Sequence, residues 1–434
     1  MKNLLRRAAS FTLASSMMLS ITACGESSSN LNTSLTNDQA SSFAKKPAKD
    51  NAIDQLVLVH LAASNNLYQF GLDDINEMEA GLNNPKVKIV VLFDGAKPGD
   101  SAVYEIEKDP AGMNKNIISK KIANTGLIPA NNEIDSGDPK LAAKFITWAV
   151  GEYPANHHSM IYWNHGASWL RERNSFVSKP TRRISEISTN DFCWDDDTGN
   201  NMVTADLNQM LAPAVAKIGK KFDVLNFDAC LQGHAEIGTE AASYVDFLVA
   251  SQKTEPGKGN DYVGLIKAIS ANSSMNSLEL SKTYVRTFGE SYPSEGVTLS
   301  SLDLSKVTTS FATALNTFAD AMTANLAADN VALQEIAKKT TAFENADCRD
   351  IGHFASMVAK DARVSAPVRA AADAMVAAVK DSIVANVNSA NKNAMGTSLF
   401  FPAKGQRYNA KYDTLKFSSN KWGPLSADCP LPAA

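Results

Sequence analysis

The chain is poor in cysteine, with five in 434 residues. None forms a C-x-x-C pair, so a zinc ribbon is not expected. The H-E-x-x-H spacing of helical zinc sites is absent as well. Beyond residue 23 no apolar stretch is long enough to span a bilayer as a helix. The chain also lacks a basic stripe. Its formal net charge is −4, and removing a basic leader makes the remainder more acidic. This argues against a nucleic-acid surface. No internal repeat is evident.

What is present begins with a leader. Lys2, Arg6 and Arg7 precede the apolar run "FTLASSMMLSIT", which is too short for a membrane-spanning helix. The run ends in "ITAC", small residues followed by Cys24. This resembles a bacterial lipobox, which implies cleavage after residue 23 and lipidation of Cys24. The alternative is an ordinary signal peptide with an incidental cysteine. The Arg6-Arg7 pair also resembles a twin-arginine signal, with little else to support it. Gly25, rather than aspartate, implies the outer membrane where the organism has two. Residues 24–51 are rich in Ser, Asn, Thr and Lys and cannot bury enough surface to offset chain entropy. They read as a flexible tether.

The remaining roughly 400 residues suffice for a large core. Buried-strand candidates are "LVLVHLA" (56–62), "VKIVVLF" (87–93), "SMIYWNHG" (159–166), "FDVLNFDAC" (222–230) and "VDFLVASQ" (245–252). Helical patterns fall between them at 66–82, 139–153, 204–218 and 231–242. This alternation predicts an α/β fold with a mainly parallel sheet covered on both faces. Residues 52–303 form the expected core. Residues 304–434 read as a helical region, with a late strand at 396–403 returning to the core.

Ligands in such sheets bind outside the carboxyl ends of the strands. His165 and Cys230 are both expected at such ends. Cys230, at a strand-to-helix junction, is expected to feel a helix N-terminus that lowers its thiol pKa. A thiol beside an imidazole is an activated nucleophile. Gly166 allows close approach to the backbone, and the N–H groups of Gly166 and Cys230 suit an oxyanion. The blander reading is a buried small cysteine and a structural histidine. Cys193, Cys348 and Cys429 carry no motif, although an even cysteine count in an exported chain permits disulfides. His60 and His234 read as structural, and His157-His158 as a loop pair before the strand.

"WNHGASW" and "FDACLQG" resemble the histidine and cysteine blocks of the clostripain family of cysteine peptidases. "LVLVHLAASNNL", "DDDTGNNMVTADLNQML", "ASQKTEPGKGNDY" and "GTSLFFP" resemble its flanking blocks in the same order. The resemblance runs from about residue 52 to about residue 420. It implies a caspase-like α/β/α sandwich with helical C-terminal additions, and a Cys/His dyad cleaving proteins or peptides after Arg or Lys. It implies an acidic S1 pocket that includes Asp228, since a buried guanidinium wants a carboxylate. The alternative role for Asp228 is to cap the following helix. Asp261 is the candidate second acid. Gln252, Lys253 and Asn260 depart from the expected pocket chemistry, and Lys253 is expected to weaken a basic P1 preference.

Some such peptidases cut themselves between the histidine and the cysteine. The long loop at 170–201 offers Arg182 and Arg183 as autoprocessing sites; its alternative reading is a solvated loop. Calcium dependence occurs in the family, but Asp191 and the run 195–197 lack EF-hand spacing. No cofactor is expected for the chemistry, and no metal site is assigned. The expectation is therefore an exported, lipid-anchored cysteine endopeptidase. The alternative is a caspase-like surface lipoprotein with a dormant site that binds a partner.

Overall fold

A computed structural model describes residues 53–169, 191–344, 347–401 and 410–423. Cys24, Cys429 and the loop arginines Arg182 and Arg183 lie outside the described residues. The first element, β1 (Ile53–Ala63), is buried along almost its whole length, as a continuous apolar run demands when helices cover both faces. It is followed by α1 (Tyr68–Gly81), β2 (Val87–Gly95), β3 (Ala102–Glu105) and β4 (Lys120–Lys121). Next come α2 (Pro139–Glu152), β5 (Ala155–Trp163), β6 (Phe192–Asp195), β7 (Asn200–Met202), α3 (Leu207–Ile218) and β8 (Phe222–Asp228). One helix start is legible locally. Pro139 opens α2 behind Asp138, whose carboxylate accepts from Lys140 N–H at 2.9 Å.

The rest of the core is α4 (Ala235–Ala241), β9 (Val245–Ala250), α5 (Tyr262–Ala271), α6 (Ser277–Ser291) and β10 (Leu299–Asp303). The C-terminal part contains α7 (Ala312–Lys339), β11 (Cys348–Asp350), α8 (Ile351–Lys360), α9 (Ala366–Ser382), β12 (Ile383–Val387) and β13 (Ser398–Phe400).

The nine-stranded sheet has the order β12-β10-β9-β8-β5-β1-β2-β3-β4. Its five central strands, β9 to β2, are parallel, and the outer pairs are antiparallel. The chain order reverses between β1 and β5, which makes the crevice past their carboxyl ends a topological switch point. One apolar layer packs α1, α5 and α6 on the sheet. The other packs α2, α3 and α4 together with α7, α8 and α9. Residues beyond 304 thus share the core's own hydrophobic layer, and every described residue belongs to one compact unit, Phe43–Ala434.

Three sequence expectations need correction. The fourth parallel strand stops at Asp228, and the next helix starts only at Ala235, behind His234. Cys230 therefore sits in an irregular turn, next to Leu231 at φ 61°, and not at a helix N-terminus. The late strand at 398–400 pairs with β11 in a separate two-stranded sheet. It meets the core through a backbone bridge, Ser398 N–H donating to Gly233 C=O at 2.9 Å, through Phe400 N–H on Glu236 at 2.8 Å, and through Leu399 and Phe400 in the buried layer. The late addition to the main sheet is β12, antiparallel to β10, inside a stretch read as helical. Its "IVANV" is short and partly exposed, as suits an edge strand. Cys193, Cys230 and Cys348 are free thiols.

Candidate active site

Register brings the histidine and cysteine blocks together. Trp163 of β5 is paired with Asp228 of β8. His165 and Cys230 each lie two residues further on, so they leave the sheet side by side. Asn164 N–H continues the ladder to Asp228 C=O at 3.2 Å. Gly166 then lies directly against the cysteine turn. A Cβ placed on Gly166 would be 2.2 Å from Cys230 O and 3.1 Å from Cys230 N. Only glycine fits that approach. The histidine turn is also held from above: Gly166 bridges to Phe192, and Ala167 N–H donates to Asp191 C=O at 2.8 Å. Gln232 Nε2, at 3.2 Å from the same Asp191 carbonyl, ties in the cysteine turn.

The electrostatics differ from the sequence expectation. Burial pushes the Cys230 thiol up to about 12, reinforced by the nearby carboxylates of Glu255, Glu344 and Asp228. The sulfur accepts one hydrogen bond, from Glu255 N–H at 3.3 Å. Burial pushes the His165 imidazole down. Burial thus disfavours the charged form of both groups. No helix dipole stabilises a thiolate, because the helix begins too late. His165 Nε2 is 2.7 Å from Asn66 Oδ1.

Asp228 ends β8 and is 4% exposed. Its carboxylate accepts from Tyr262 O–H at 2.8 Å and Asn260 N–H at 3.1 Å. It does not cap a helix, since α4 starts at Ala235. Burial raises its pKa to about 6. It shares this region with Glu255, Asp74 and Glu77. Burial raises the pKa of each of these, and the Asp228 charge adds to the effect. Trp163 Nε1–H donates to Asp74 at 2.6 Å, and Tyr262 N–H to Glu77 at 3.0 Å. Glu255 Oε1 is buried with no hydrogen-bond partner. Among the described residues no hydrogen bond or ion pair joins a lysine or arginine to any of these four carboxylates.

Glu255 lies in the "TEPG" block, and no local feature of that block marks it as the partner of Asp228. The candidate acid from that block was Asp261, but the Asp261 carboxylate accepts from Gly264 N–H at 2.8 Å and caps α5. The departures noted in the same block have structural partners. Gln252 Nε2 donates to Asp350 and Ser398, at 3.0 and 2.9 Å. Asn260 Nδ2 donates to Asn226 at 2.7 Å. Lys253 Nζ donates to Gly296 C=O at 2.9 Å.

The acidic segment does not suit calcium. Asp195 accepts from the N–H groups of Ser136, Asp197 and Thr198. Asp191 accepts from Thr204 Oγ1–H at 2.8 Å, and Asp197 from Ser64 O–H at 3.0 Å. These carboxylates pin turns. Among the described residues no group of three His, Cys, Asp or Glu is arranged to hold a metal ion. His157 pairs with Asp223 at 2.6 Å, away from His165, and His60 bonds to Ser136 C=O at 2.8 Å. A surface cleft of about 490 Å³ lies elsewhere, between α2 and α3, beside Trp148 and Lys217. No helix of the described residues is long and apolar enough to cross a membrane.

An α/β/α sandwich with a histidine and a cysteine on neighbouring parallel strand ends, and backbone amides beside the thiol, is the architecture of caspase-like cysteine peptidases. A sequence model of the clostripain family matches residues 59–424, and the chain belongs to that family. Clostripain of Hathewaya histolytica is 28% identical over 241 residues, which is 51% of this chain and 43% of that protein. The match thus spans less than half of that relative's length. The chain is also similar to a secreted C11 cysteine protease from Bacteroides thetaiotaomicron, solved with an irreversible peptide inhibitor. That structure aligns at a TM-score of 0.62 and 18% identity, covering 85% of this chain and 99% of that one. An inactive zymogen C11 protease from Parabacteroides distasonis aligns at 0.59 and 15%, covering 85% and 97%. At these identities the solved structures establish the fold.

Proposed function

We propose that this chain is a cysteine endopeptidase that cleaves proteins or peptides after Arg or Lys. The observation that supports the reading is the seating of Gly166 on the Cys230 backbone, at the ends of paired strands two residues past Trp163 and Asp228. His165 takes the proton of Cys230 Sγ as the sulfur attacks the scissile carbonyl carbon. The developing oxyanion is held by the N–H groups of Gly166 and Cys230. The imidazolium then protonates the leaving amine, and water hydrolyses the remaining thioester with His165 as base.

Asp228 and Glu255 receive the basic P1 side chain, with Asp74 and Glu77 adding negative potential behind them. In the free enzyme their raised pKa values keep part of this charge protonated. A guanidinium or ammonium favours the ionised form and draws the proton off. Asp261 is left as a helix cap. Lys253 is held on Gly296, which removes the main ground for a dormant binding protein. Self-cleavage after Arg182 or Arg183 belongs to the same proposal. So do export and lipid anchoring through Cys24, and the secreted state of the Bacteroides relative supports export.

The test is hydrolysis of fluorogenic peptides with Arg, Lys, Asp or Leu at P1 by the purified chain, beside Cys230→Ala, Asp228→Asn and Glu255→Gln. Arg and Lys turnover is expected, abolished in Cys230→Ala. Asp228→Asn is expected to cut kcat/KM for Arg by about 100-fold or more, because an unpaired buried guanidinium costs several kcal/mol. Turnover that survives Cys230→Ala refutes the nucleophile. A Leu or Asp preference refutes the basic pocket.

A further inference from the structure

We propose that Asn66 is a third member of the catalytic machinery, a positioning residue that fixes the tautomer and orientation of His165. The inference rests on the reading of His165 as general base. Asn66 Oδ1 is 2.7 Å from His165 Nε2. An amide oxygen can only accept, so Nε2 carries the proton and the lone pair is on Nδ1. Nδ1 is then the nitrogen that takes the thiol proton. When it does, the imidazolium keeps its Nε2–H on Asn66 Oδ1, whose dipole stabilises the positive charge.

The neighbours of both residues hold this pairing in place. Asn65 Nδ2 donates to Ala62 C=O and to Trp194 C=O, each at 3.0 Å. Asn164 Nδ2 donates to the same two carbonyls, to Ala62 C=O and, at 2.9 Å, to Trp194 C=O. Two asparagines from different loops thus share one pair of acceptors. Each directly precedes a member of the Asn66–His165 pair. Asn65 Oδ1 accepts from Leu67 N–H at 2.9 Å, which closes the turn around Asn66. Asn164 Oδ1 accepts from His165 N–H. The loop after β1 and the loop after β5 are therefore locked in mutual register. The catalytic imidazole acquires a fixed partner from across the topological switch point. Asn66 itself is exposed, so its truncation to alanine is expected to leave the fold intact.

The test combines kinetics with a direct reading of the ring. In Asn66→Ala, kcat on an Arg peptide is expected to fall about 10- to 100-fold with KM nearly unchanged, a part of what a general acid–base group supplies. Asn66→Asp keeps an acceptor. It is expected to recover most of kcat, and its added charge should raise the imidazole pKa and move the acid limb of kcat/KM to higher pH. Independently of turnover, ¹⁵N-histidine spectra of the full chain are expected to show His165 as the Nε2–H tautomer. That tautomer should be lost or mixed in Asn66→Ala. An unchanged tautomer in Asn66→Ala overturns the proposal, whether or not the enzyme cleaves peptides. So does a wild-type kcat in Asn66→Ala, a loss confined to KM, or an Asn66→Asp no better than alanine. A wild type without turnover but with the expected tautomer change leaves the positioning role intact and refutes the peptidase reading.

Discussion

Replacing Gly166 by alanine tests the geometry on which the active site depends. The new methyl carbon would arrive 2.2 Å from Cys230 O, 2.9 Å from Gln232 Nε2 and 3.1 Å from Cys230 N. The amide of Gln232 can swing away, but the Cys230 backbone cannot. Ordinary carbon–oxygen contact needs the histidine and cysteine turns to part by about 1 Å, and a displacement of that size at reacting groups costs about 100-fold in rate. Overpacking of this kind costs about 1–3 kcal/mol of stability, a shift of a few degrees in Tm for a unit of this size. Gly166→Ala is therefore expected to stay folded, with Tm slightly lowered, and to lose about two orders of magnitude in kcat/KM on an Arg peptide. The assay is steady-state hydrolysis alongside thermal denaturation. A folded Gly166→Ala variant with wild-type kcat/KM would refute the juxtaposition of the two turns, and with it the oxyanion site.

Two further outcomes follow from buried charge. Glu236 accepts from Phe400 N–H at 2.8 Å, while its Oε2 is buried and unpaired. Burial raises its pKa from 4.5 to about 8, and the adjacent His234, pushed down to about 3 by burial, offers no compensating charge. A folded-state pKa above the unfolded value stabilises the protein fully below pH 4.5 and is lost as pH rises through about 8. Tm is thus expected to fall from about pH 4.5 to about pH 8, and Glu236→Gln to flatten that fall; an equal slope in both proteins would contradict it. Lys253→Met is expected to leave the ratio of Arg to Leu cleavage unchanged and to cost about 0.5–1.5 kcal/mol through the lost Gly296 bond. A marked gain in Arg preference, measured on the same peptide panel, would show that Lys253 reaches the pocket after all.

Much of the architecture was legible because burial on both faces leaves a plain signature. The runs around Val59, Val91, Ile161, Leu225 and Val249 are continuous and apolar, and each became a central parallel strand. The helical patterns between them were readable for the same reason, since one apolar stripe must face the sheet. The short edge strand at Ile383–Val387 was not legible. Five partly exposed residues after a long helix give no period that separates strand from helix. The late strand at Ser398–Phe400 was visible as a strand, but its partner was not, because β pairing over long sequence distance carries no local mark.

At the site, the sequence by itself determined which residues are candidates for the chemistry. His165, Gly166 and Cys230 stand where buried strands end, and the blocks around them match one family. Tertiary structure alone decided how those residues are tuned. A helix dipole at Cys230 was a sound local expectation, but Leu231 turns the chain away in the left-handed region and α4 starts late. The thiol pKa is therefore set by burial and by carboxylates from other segments. The second pocket acid was decided in the same way. Asp261 had a partner close by in sequence, the Gly264 N–H, whereas Glu255 meets Asp228 only after β8 and β9 are laid side by side. Asn66 meets His165 only across the gap between β1 and β5. A sequence records the identity and order of such groups; their distances, and hence their charges and proton positions, exist only once the sheet is assembled.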